Sequence, residues 1–279
     1  MTPVPAGDPK RRSLLTVSNR GPVEFHRDEE GAIVAVPGAG GLATALRVSA
    51  QLQPTTWLSS PLSDIDREIA RGNVAVPAAE GAPRFVATDP AAYDAFANEA
   101  LWLLQHSLPW PDELDAARRD LAWSEGYYAV NRAFADAVID EIDTGTHRAV
   151  MFHDYHFYVA PGLVRRARPD VYLQHFVHVP WPGPTEWSRL EQPMLRAILE
   201  GLLGNDSLSF QTDTDTRNFL ATVEAFLPGA EVDVAAGTVH LGEHLTRAWT
   251  NGISVDPAEL DAAAATPEFA RYRWLLRPG

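Results

Sequence analysis

Two stretches in the second half of the chain decide the fold: AVMFHDYH at residues 149–156 and VYLQHFVHVPWP at residues 171–182. Each begins with a short apolar run and ends in polar side chains. A segment with helical spacing, YVAPGLVRRARP at residues 158–169, lies between them. Strand, helix and strand in this order form the unit from which parallel sheets are built. We therefore expect two parallel buried strands whose carboxyl ends meet at one edge of a sheet.

Short apolar runs alternate with helical segments along the rest of the chain as well. This alternation is typical of α/β proteins, so we predict a Rossmann-like, mostly parallel sheet with helices on both faces. Two further runs, VEFHRD and GAIVAV, flank a turn at Gly31 and predict a hairpin. Other strands are predicted at SLLTVS ending at Ser18, TTWLSS at 55–60, NVAVP at 73–77, RFVAT at 84–88 and SLSF at 207–210, and helices at 42–52, from Ser63, at 90–106, up to Ile142, at 190–204 and at 217–226.

The composition limits the classes of partner. The 279 residues include 23 Lys and Arg against 37 Asp and Glu, a formal net charge of −14. Such acidity argues against nucleic acid or an anionic membrane surface, because both are bound through clustered basic side chains. The absence of cysteine excludes disulfides and thiolate chemistry and fits a reducing compartment. No apolar run approaches the ~18 residues that cross a bilayer, and no signal-like stretch follows the basic amino terminus, so we expect a cytoplasmic protein.

Polar side chains directly follow three of the predicted strands. Arg20 follows the first strand in SNRGP, His153 and Asp154 follow AVMF, and His178 ends the later strand inside HVPWP. In open α/β sheets ligands bind beyond the carboxyl ends of the strands, so one crevice can hold these side chains. Arginine forks onto phosphate oxygens, whereas carboxylate and imidazole bond sugar hydroxyls. The sequence thus predicts a cleft for a phosphorylated sugar; a solvated arginine, a buried helix cap at HDYH and a structural histidine are the alternatives.

Three other motifs carry weaker signals. GAGGLA at residues 38–43 opens a predicted helix, where the backbone of Gly40 and Gly41 can bind an anion; a plain tight turn is the alternative. Trp181 stands between two prolines, so we expect a rigid turn that presents an aromatic face to a sugar. DTD at residues 213–215 has the spacing of a metal clamp, but it precedes a helix that aspartate can cap. We predict no metal site there.

Taken together, these motifs resemble the trehalose-6-phosphate synthase family of retaining glycosyltransferases from about Leu14 to about Asp256. The family pattern S-N-R, G-G-L, L-W, H-D-Y-H, H-I-P-F-P, E-G-L-L-G and F-H/Q-T is followed here in the same order. The matching segments are SNR at Ser18–Arg20, GGL at Gly40–Leu42, LW at Leu101–Trp102, HDYH at His153–His156, HVPWP at His178–Pro182, EGLLGND from Glu200 and FQTDTDTRNFL from Phe210. This order is highly specific for the family and much less so for the sugar transferred.

The resemblance implies a two-domain enzyme of the GT-B type, with the active site between two facing Rossmann-like domains. Residues 13–256 then form the acceptor-binding domain. Residues 1–12 are expected to be a disordered tail, and residues 257–279 a linker toward a donor-binding domain that this sequence does not include. On its own, this chain is therefore expected to be inactive.

Site residues also follow from the resemblance, position by position. Arg20, Tyr93 and Asp154 match residues that bind the acceptor, and Trp102 matches an aromatic residue beside it. Gly40 and Gly41 match the turn that touches the phosphate of the donor, and His178 matches a histidine near the reacting sugar. Asp154 and His178 are the expected catalytic residues.

The reaction implied by the resemblance moves glucose from a nucleotide-glucose donor, with UDP-glucose favoured, to glucose 6-phosphate and gives trehalose 6-phosphate with retention. It passes through an oxocarbenium-like transition state and needs no cofactor, metal or protein nucleophile. The two substrates are the expected partners, and a homo-oligomer remains open. HVPWP in place of HIPFP and the acidic stretch at 108–123 leave room for glycerol 3-phosphate or another polyol phosphate as acceptor. A non-catalytic sugar-phosphate-binding module and a cyclitol transferase that forms a C–N bond are the remaining alternatives.

Overall fold

A central β-sheet organises the chain. The computed structural model describes residues 14–38, 55–76, 83–88, 90–144, 147–254 and 257–275. Within these residues the strands are β1 (Leu14–Ser18), β2 (Val23–Arg27), β3 (Ile33–Pro37), β4 (Thr55–Ser59), β5 (Arg84–Phe85), β6 (Ala149–His153), β7 (Tyr172–Phe176), β8 (Ser207–Phe210), β9 (Ala230–Asp233), β10 (Thr238–Leu241) and β11 (His244–Thr250).

Nine of these strands form one sheet in the order β5-β4-β1-β6-β7-β8-β11-β10-β9. Every pairing from β5 across to β11 is parallel, and only β10 and β9 are added in antiparallel fashion. The strands β2 and β3 pair as a separate antiparallel hairpin. The predicted mostly parallel α/β architecture and the hairpin around Gly31 are therefore confirmed.

Helices connect the strands. They are α1 (Asp64–Ala70), α2 (Pro90–Phe96), α3 (Leu103–Gln105), α4 (Ala116–Leu121), α5 (Tyr128–Thr144), α6 (Ala160–Ala167), α7 (Pro184–Trp187), α8 (Gln192–Leu202), α9 (Asp213–Phe226), α10 (Pro257–Ala264) and α11 (Pro267–Leu275). Two segments wind as π-helix, Ala97–Trp102 between α2 and α3 and Ala122–Tyr127 between α4 and α5. Such π segments are rare in proteins and often lie at functional sites. None of the described helices is long and apolar enough to span a membrane.

The central strands are buried because both of their faces are covered. The last four residues of β1 and all four of β8 are buried. Their sequences, LLTVS and SLSF, combine apolar residues with small hydroxyl residues, and burial along the whole strand is the pattern of a parallel sheet covered on both faces. In register, Val17 lies opposite Phe152, and Phe152 lies opposite His175. The residues that follow β1, β6 and β7 consequently leave the sheet at one common edge.

A buried carboxylate attaches the β2–β3 hairpin to the rest of the domain. Asp66 is fully buried and accepts hydrogen bonds from the backbone N–H groups of Phe25 (2.9 Å) and Ser63 (3.0 Å). The hydroxyl of Ser63 in turn donates to the carbonyl of Phe25 (2.6 Å). This capping box at the start of α1 satisfies helix N–H groups and fixes the hairpin at the same time.

Three glycines allow α6 and α8 to meet backbone against backbone. A Cβ on Gly201 would lie 2.3 Å from the carbonyl oxygen of Tyr158, and one on Gly204 would lie 2.7 Å from the Cα of Gly162. No side chain fits into such a contact. This backbone contact explains the glycines of the EGLLG segment. It also concerns the HDYH turn, because α6 is the helix that follows that turn.

Some predicted boundaries are wrong. The strand at 171–179 ends at Phe176, because the chain then turns toward the prolines at 180 and 182. Residues 73–76 of the NVAVP segment are not a strand. Helix α9 begins at Asp213 rather than Arg217, since Thr212 provides its cap. The sequence analysis also missed β9, β10 and β11, whose tight turns depend on positive φ angles at Gly237 and Gly242.

Candidate functional site

The predicted side chains converge at the carboxyl edge of the sheet. Arg20 follows β1, Asp154 follows β6 and His178 follows β7, and these three strands are direct neighbours in the sheet. His153, the last residue of β6, reaches across to His178: its Nδ1 lies 3.1 Å from Nε2 of His178. The expectation that these strand ends share one edge is confirmed.

Asp154 occupies a strained position at the centre of this edge. Its φ angle is +68°, in the left-handed region that non-glycine residues seldom adopt. Its backbone N–H donates to the carbonyl of Phe176 (2.7 Å), and its own carbonyl accepts from Nε2–H of His175 (2.9 Å). Its carboxylate Oδ1 accepts from the backbone N–H of His178 (3.2 Å). Strain that is held in place by surrounding contacts is characteristic of functional positions.

Burial dominates the electrostatics of Asp154. Desolvation raises the pKa of the carboxyl to about 6, although backbone N–H groups of Tyr155, His178 and Val179 and the nearby charge of His106 act to lower it. Near neutral pH the carboxyl group is therefore mostly ionised, because its pKa lies about one unit below the pH. A carboxylate in this state is ready to accept hydrogen bonds from ligand hydroxyl groups.

His178 is held by contacts on two sides. Its ring stacks on Phe176 with 4.4 Å between centroids and faces the ring of His153 at 5.3 Å. Burial lowers the pKa of His178 to about 4 and that of His153 well below its ordinary value. Both imidazoles are neutral at physiological pH, so they act through hydrogen bonds rather than through charge.

Tyr93 and His156 form a second buried pair beside the first. The Tyr93 hydroxyl is hydrogen-bonded to Nδ1 of His156, and both residues are buried. The pKa of His156 is lowered to about 3, first by burial and second by the positive charge of Arg20, which places the guanidinium near this ring. Burial, together with neighbouring Tyr127, raises the pKa of Tyr93 well above its ordinary value. Arg20 itself is half exposed and paired with Glu24 at 3.1 Å.

Trp102 and His106 form the aromatic wall of the cluster. Trp102 ends the first π segment, and its ring lies 3.9 Å from that of His106, centroid to centroid. The Nδ1–H of His106 donates to the carbonyl of Trp102 (2.7 Å). Since His106 influences the pKa of Asp154, the wall and the carboxylate lie close together.

A polar frame behind the cluster holds the chain from residue 155 to residue 160. Asn131 donates to the carbonyl of His156 (3.0 Å) and accepts from the N–H groups of Val159 and Ala160, each at 3.0 Å. The hydroxyl oxygen of Tyr127, at the end of the second π segment, accepts a hydrogen bond from the backbone N–H of Tyr158 (3.2 Å). These contacts fix the turn that carries Asp154.

The sequence analysis missed His106, Asn131 and Tyr127. His106 stands four residues after Trp102, the spacing at which two side chains share one helix face, and this was the available signal. Asn131 and Tyr127 lie in a long helical segment where nothing local distinguishes them from ordinary helix residues.

The prediction for Trp181 is wrong. The ring is fully buried and packs against Trp187 at 4.3 Å and Phe219 at 5.2 Å, centroid to centroid, instead of facing a ligand. Its indole N–H donates to Thr222. The ring therefore points into the core, so HVPWP places His178 at the carboxyl edge of the sheet and Trp181 in the interior.

The DTD segment belongs to the start of α9. Asp215 exchanges hydrogen bonds with the cap residue Thr212 and accepts the backbone N–H of Trp181 (2.9 Å). In the described part of the chain, no group of three or more His, Asp or Glu side chains has an arrangement that could hold a metal ion. The predicted donor turn at Gly40 and Gly41 lies outside the described residues.

A mostly parallel sheet with polar side chains at its carboxyl edge defines a Rossmann-like domain, and solved trehalose-6-phosphate synthases share this fold. The chain belongs to glycosyltransferase family 20, whose family model matches residues 12–277. The trehalose-6-phosphate synthase of Mycolicibacterium smegmatis is 32% identical over an alignment of 262 positions, which covers 90% of this chain and 49% of that protein. The chain thus spans about half the length of the curated relatives it matches.

Solved structures show the same fold. The N-terminal domain of the Candida albicans trehalose-6-phosphate phosphatase superposes with a TM-score of 0.72 at 21% identity, over 96% of this chain and 54% of that one. An α,α-trehalose-phosphate synthase from Burkholderia xenovorans, solved in complex with glucose-6-phosphate, superposes with a TM-score of 0.62 at 21% identity, over 93% and 54% of the two chains.

Proposed function

We propose that this chain supplies the acceptor-binding half of a retaining glycosyltransferase that moves glucose from a nucleotide-glucose donor, UDP-glucose by preference, to glucose 6-phosphate. The product is trehalose 6-phosphate. The observation that carries the proposal is the convergence of a half-exposed Arg20, the strained carboxylate of Asp154 and the locked ring of His178 at one sheet edge. Family membership and the relative from Mycolicibacterium smegmatis support the same activity.

Each residue has a distinct task in this proposal. Arg20 forks onto the phosphate of the acceptor, exchanging its exposed pairing with Glu24 for a doubly charged partner. Asp154 accepts hydrogen bonds from the sugar hydroxyls, and Tyr93 and Trp102 border the ring. His178, neutral at physiological pH, lies beside the reacting sugar and hydrogen-bonds to it. Gly40 and Gly41 remain the proposed contact to the donor phosphate.

The reaction breaks the bond between the anomeric carbon of the donor glucose and the diphosphate oxygen. A new bond forms on the same face, from that carbon to the acceptor hydroxyl oxygen, and the hydroxyl proton passes to the leaving diphosphate. The protein supplies orientation and hydrogen bonds for the oxocarbenium-like transition state. No cofactor, metal or protein nucleophile enters this scheme.

Calorimetric titration with glucose 6-phosphate tests the acceptor site in the 279-residue chain. We expect weak binding that Arg20→Ala weakens by about 10- to 100-fold, because a charge-assisted hydrogen bond contributes ~1.5–3 kcal/mol. Arg27→Ala is the matched control, since Arg27 is a nearby arginine at the end of β2 whose side chain bonds the carbonyl of Gly31. If both variants and the unmodified chain bind glucose 6-phosphate equally well, Arg20 does not contact the acceptor.

A transfer assay tests the reaction. UDP-, GDP- and ADP-glucose are each combined with glucose 6-phosphate and with glycerol 3-phosphate, using both the 279-residue chain and the full-length polypeptide of its gene. We expect transfer from UDP-glucose to glucose 6-phosphate by the full-length polypeptide and negligible transfer by the chain alone. Preference for glycerol 3-phosphate would assign a polyol-phosphate acceptor instead.

A non-catalytic sugar-phosphate-binding module is the second candidate. It is favoured by the similarity to the N-terminal domain of a trehalose-6-phosphate phosphatase, since a domain of this fold occurs there in a protein named for a different reaction. Binding of glucose 6-phosphate with no transfer from any of the three donors by the full-length polypeptide would select this alternative.

A further inference from the structure

The contact between His153 and His178 contains one proton, and its location decides what His178 offers to a ligand. The two nitrogens lie 3.1 Å apart, and both rings are neutral at physiological pH. Two arrangements satisfy the bond. Either Nδ1–H of His153 donates to Nε2 of His178, or Nε2–H of His178 donates to Nδ1 of His153.

The buried side of the pair distinguishes these arrangements. Nε2 of His153 is fully buried without a hydrogen-bond partner. In the first arrangement this atom is a bare acceptor, whereas in the second it carries an unpaired N–H. Buried N–H groups without an acceptor are rarer in folded proteins than acceptors without a donor, which favours the first arrangement.

A third histidine in the same cluster provides a precedent. Nε2 of His175 bonds the carbonyl oxygen of Asp154, which can only accept, so Nε2 carries the proton of that ring. Its Nδ1 is consequently a bare acceptor, and this atom is also buried without a partner. The interior behind the site therefore already accommodates an unpaired imidazole acceptor.

We infer that His153 is a positioning residue that holds the proton of His178 on Nδ1, so that His178 presents a hydrogen-bond donor to the cleft. Nδ1 is the ring atom of His178 that has no partner among the described residues, and the residue is partly exposed. Stacking on Phe176 and His153 prevents the ring from turning to offer the other nitrogen.

This donor selects a ligand oxygen that accepts a hydrogen bond and excludes His178 as a base. A ring whose cleft-facing nitrogen already carries a proton cannot remove one from a hydroxyl group at that edge. The identification of the ligand oxygen as one belonging to a sugar or phosphate rests on the proposed function; the location of the proton does not.

Long-range ¹H–¹⁵N correlation spectra of the ligand-free chain, labelled at histidine, test the inference near pH 7.5. We expect His178 to show a protonated Nδ1 and an unprotonated Nε2, with its signals assigned from a His178→Gln sample. His153→Asn keeps a side-chain N–H at the position of Nδ1 and is expected to preserve this pattern. His153→Leu removes the donor, and we expect His178 to shift toward the form protonated on Nε2.

The matched control is His244→Asn, which removes a histidine that bonds the carbonyl of Asn205 away from the cluster and leaves the His178 signals unchanged. A protonated Nε2 on His178 in the unmodified chain overturns the inference, as does an unchanged pattern in His153→Leu. If His153→Leu does not fold, the unmodified chain and His153→Asn decide the question. Because no substrate is present, an inactive enzyme leaves this result intact, and a wrong tautomer leaves the proposed function standing.

Discussion

The backbone N–H of His178 donates to the carboxylate of Asp154 at 3.2 Å, so the turns that follow two neighbouring strands are bonded to each other. The left-handed φ of Asp154 aims its carboxylate at that N–H. The two residues expected to act on the substrates are thus parts of one hydrogen-bonded unit.

Asp154→Asn should stabilise the fold while abolishing transfer. The folded-state pKa of about 6 lies above the ordinary 3.8, so ionising the buried carboxyl costs up to about 3 kcal/mol at neutral pH. This cost appears as pH rises from about 4 to about 6 and is constant above. Asparagine keeps an oxygen for the His178 N–H and tolerates positive φ.

Urea unfolding measures this prediction. We expect Asp154→Asn to raise the free energy of unfolding by ~1–3 kcal/mol near pH 7.5 and to change it little near pH 4. Asp154→Ala should also abolish transfer with the fold retained, and turnover equal to the unmodified enzyme would contradict the assignment. Equal effects of Asp154→Asn on stability at both pH values would show that ionisation is not the cause.

The chain should lose stability steeply in mild acid. Burial lowers the pKa of four histidines, to about 3 for His156 and His175, to about 4 for His178 and well below its ordinary value for His153. Depressed pKa values give stability that is present above the unfolded value of about 6.5 and is lost as pH falls toward the folded values. Over the same pH range folded Asp154 takes up about one proton, which acts in the opposite direction. The unfolded chain therefore binds about three more protons than the folded chain.

The expected slope between pH 6 and pH 5 is therefore up to about 4 kcal/mol per pH unit, read from urea unfolding at each pH. His175→Gln keeps a donor at the position of Nε2 but does not titrate. We expect it to reduce the slope by the contribution of one proton, about 1.4 kcal/mol per pH unit. A variant slope equal to that of the unmodified chain would mean that His175 titrates normally.

Removing the partner of Arg20 should strengthen acceptor binding. Glu24 holds Arg20 at 3.1 Å in a partly exposed pair, and such pairs contribute about 0.2–1 kcal/mol. Glu24→Gln frees the guanidinium and should tighten glucose 6-phosphate binding by about two- to five-fold in calorimetric titration. Added salt should reduce the difference between the two proteins; tighter binding that also persists in Arg20→Ala would point to another cause.

Gly201→Ala should destabilise the chain by about 1–3 kcal/mol or more, because its Cβ would lie 2.3 Å from the Tyr158 carbonyl oxygen. Gly183→Ala is the matched control: no atom lies within 4 Å of the added methyl group and φ is −68°. We expect Gly183→Ala to change the free energy of unfolding by less than about 1 kcal/mol. Equal thermal unfolding midpoints for Gly201→Ala and Gly183→Ala would show that the backbone contact at Gly201 does not exclude a side chain.

Local pattern was enough to predict the central strands and the polar residues that follow them. The runs LLTV before Ser18 and AVMF before His153 are short and mostly apolar, and parallel pairing then brings their ends together without further information. The site beyond these ends depends on long-range packing. Trp181 was assigned to the cleft because a proline-flanked ring has no local sign of direction; the facing aromatic core turns it inward.

Other features have no one-dimensional signal at all. The positive φ of Asp154 depends on the hydrogen bond from its N–H to Phe176, a residue on another strand. The π segments Ala97–Trp102 and Ala122–Tyr127 end in two aromatic residues of the site, and no local pattern marks them. The strands β9 and β10 are the exception, since AEVD and TVHL each alternate between apolar and polar residues over four positions, a signal that the sequence analysis missed.

The buried histidines also keep their own hydrogen-bonding roles unchanged near neutral pH. An exposed imidazole changes from acceptor to donor near neutrality, and its bonds to a ligand reverse with it. Here the rings at 153, 156, 175 and 178 stay neutral while the protein is folded, and each is tied by a hydrogen bond to a neighbour. They behave as permanent dipoles with fixed directions, so a ligand meets the same histidine donors and acceptors across the whole range in which a cell's pH varies.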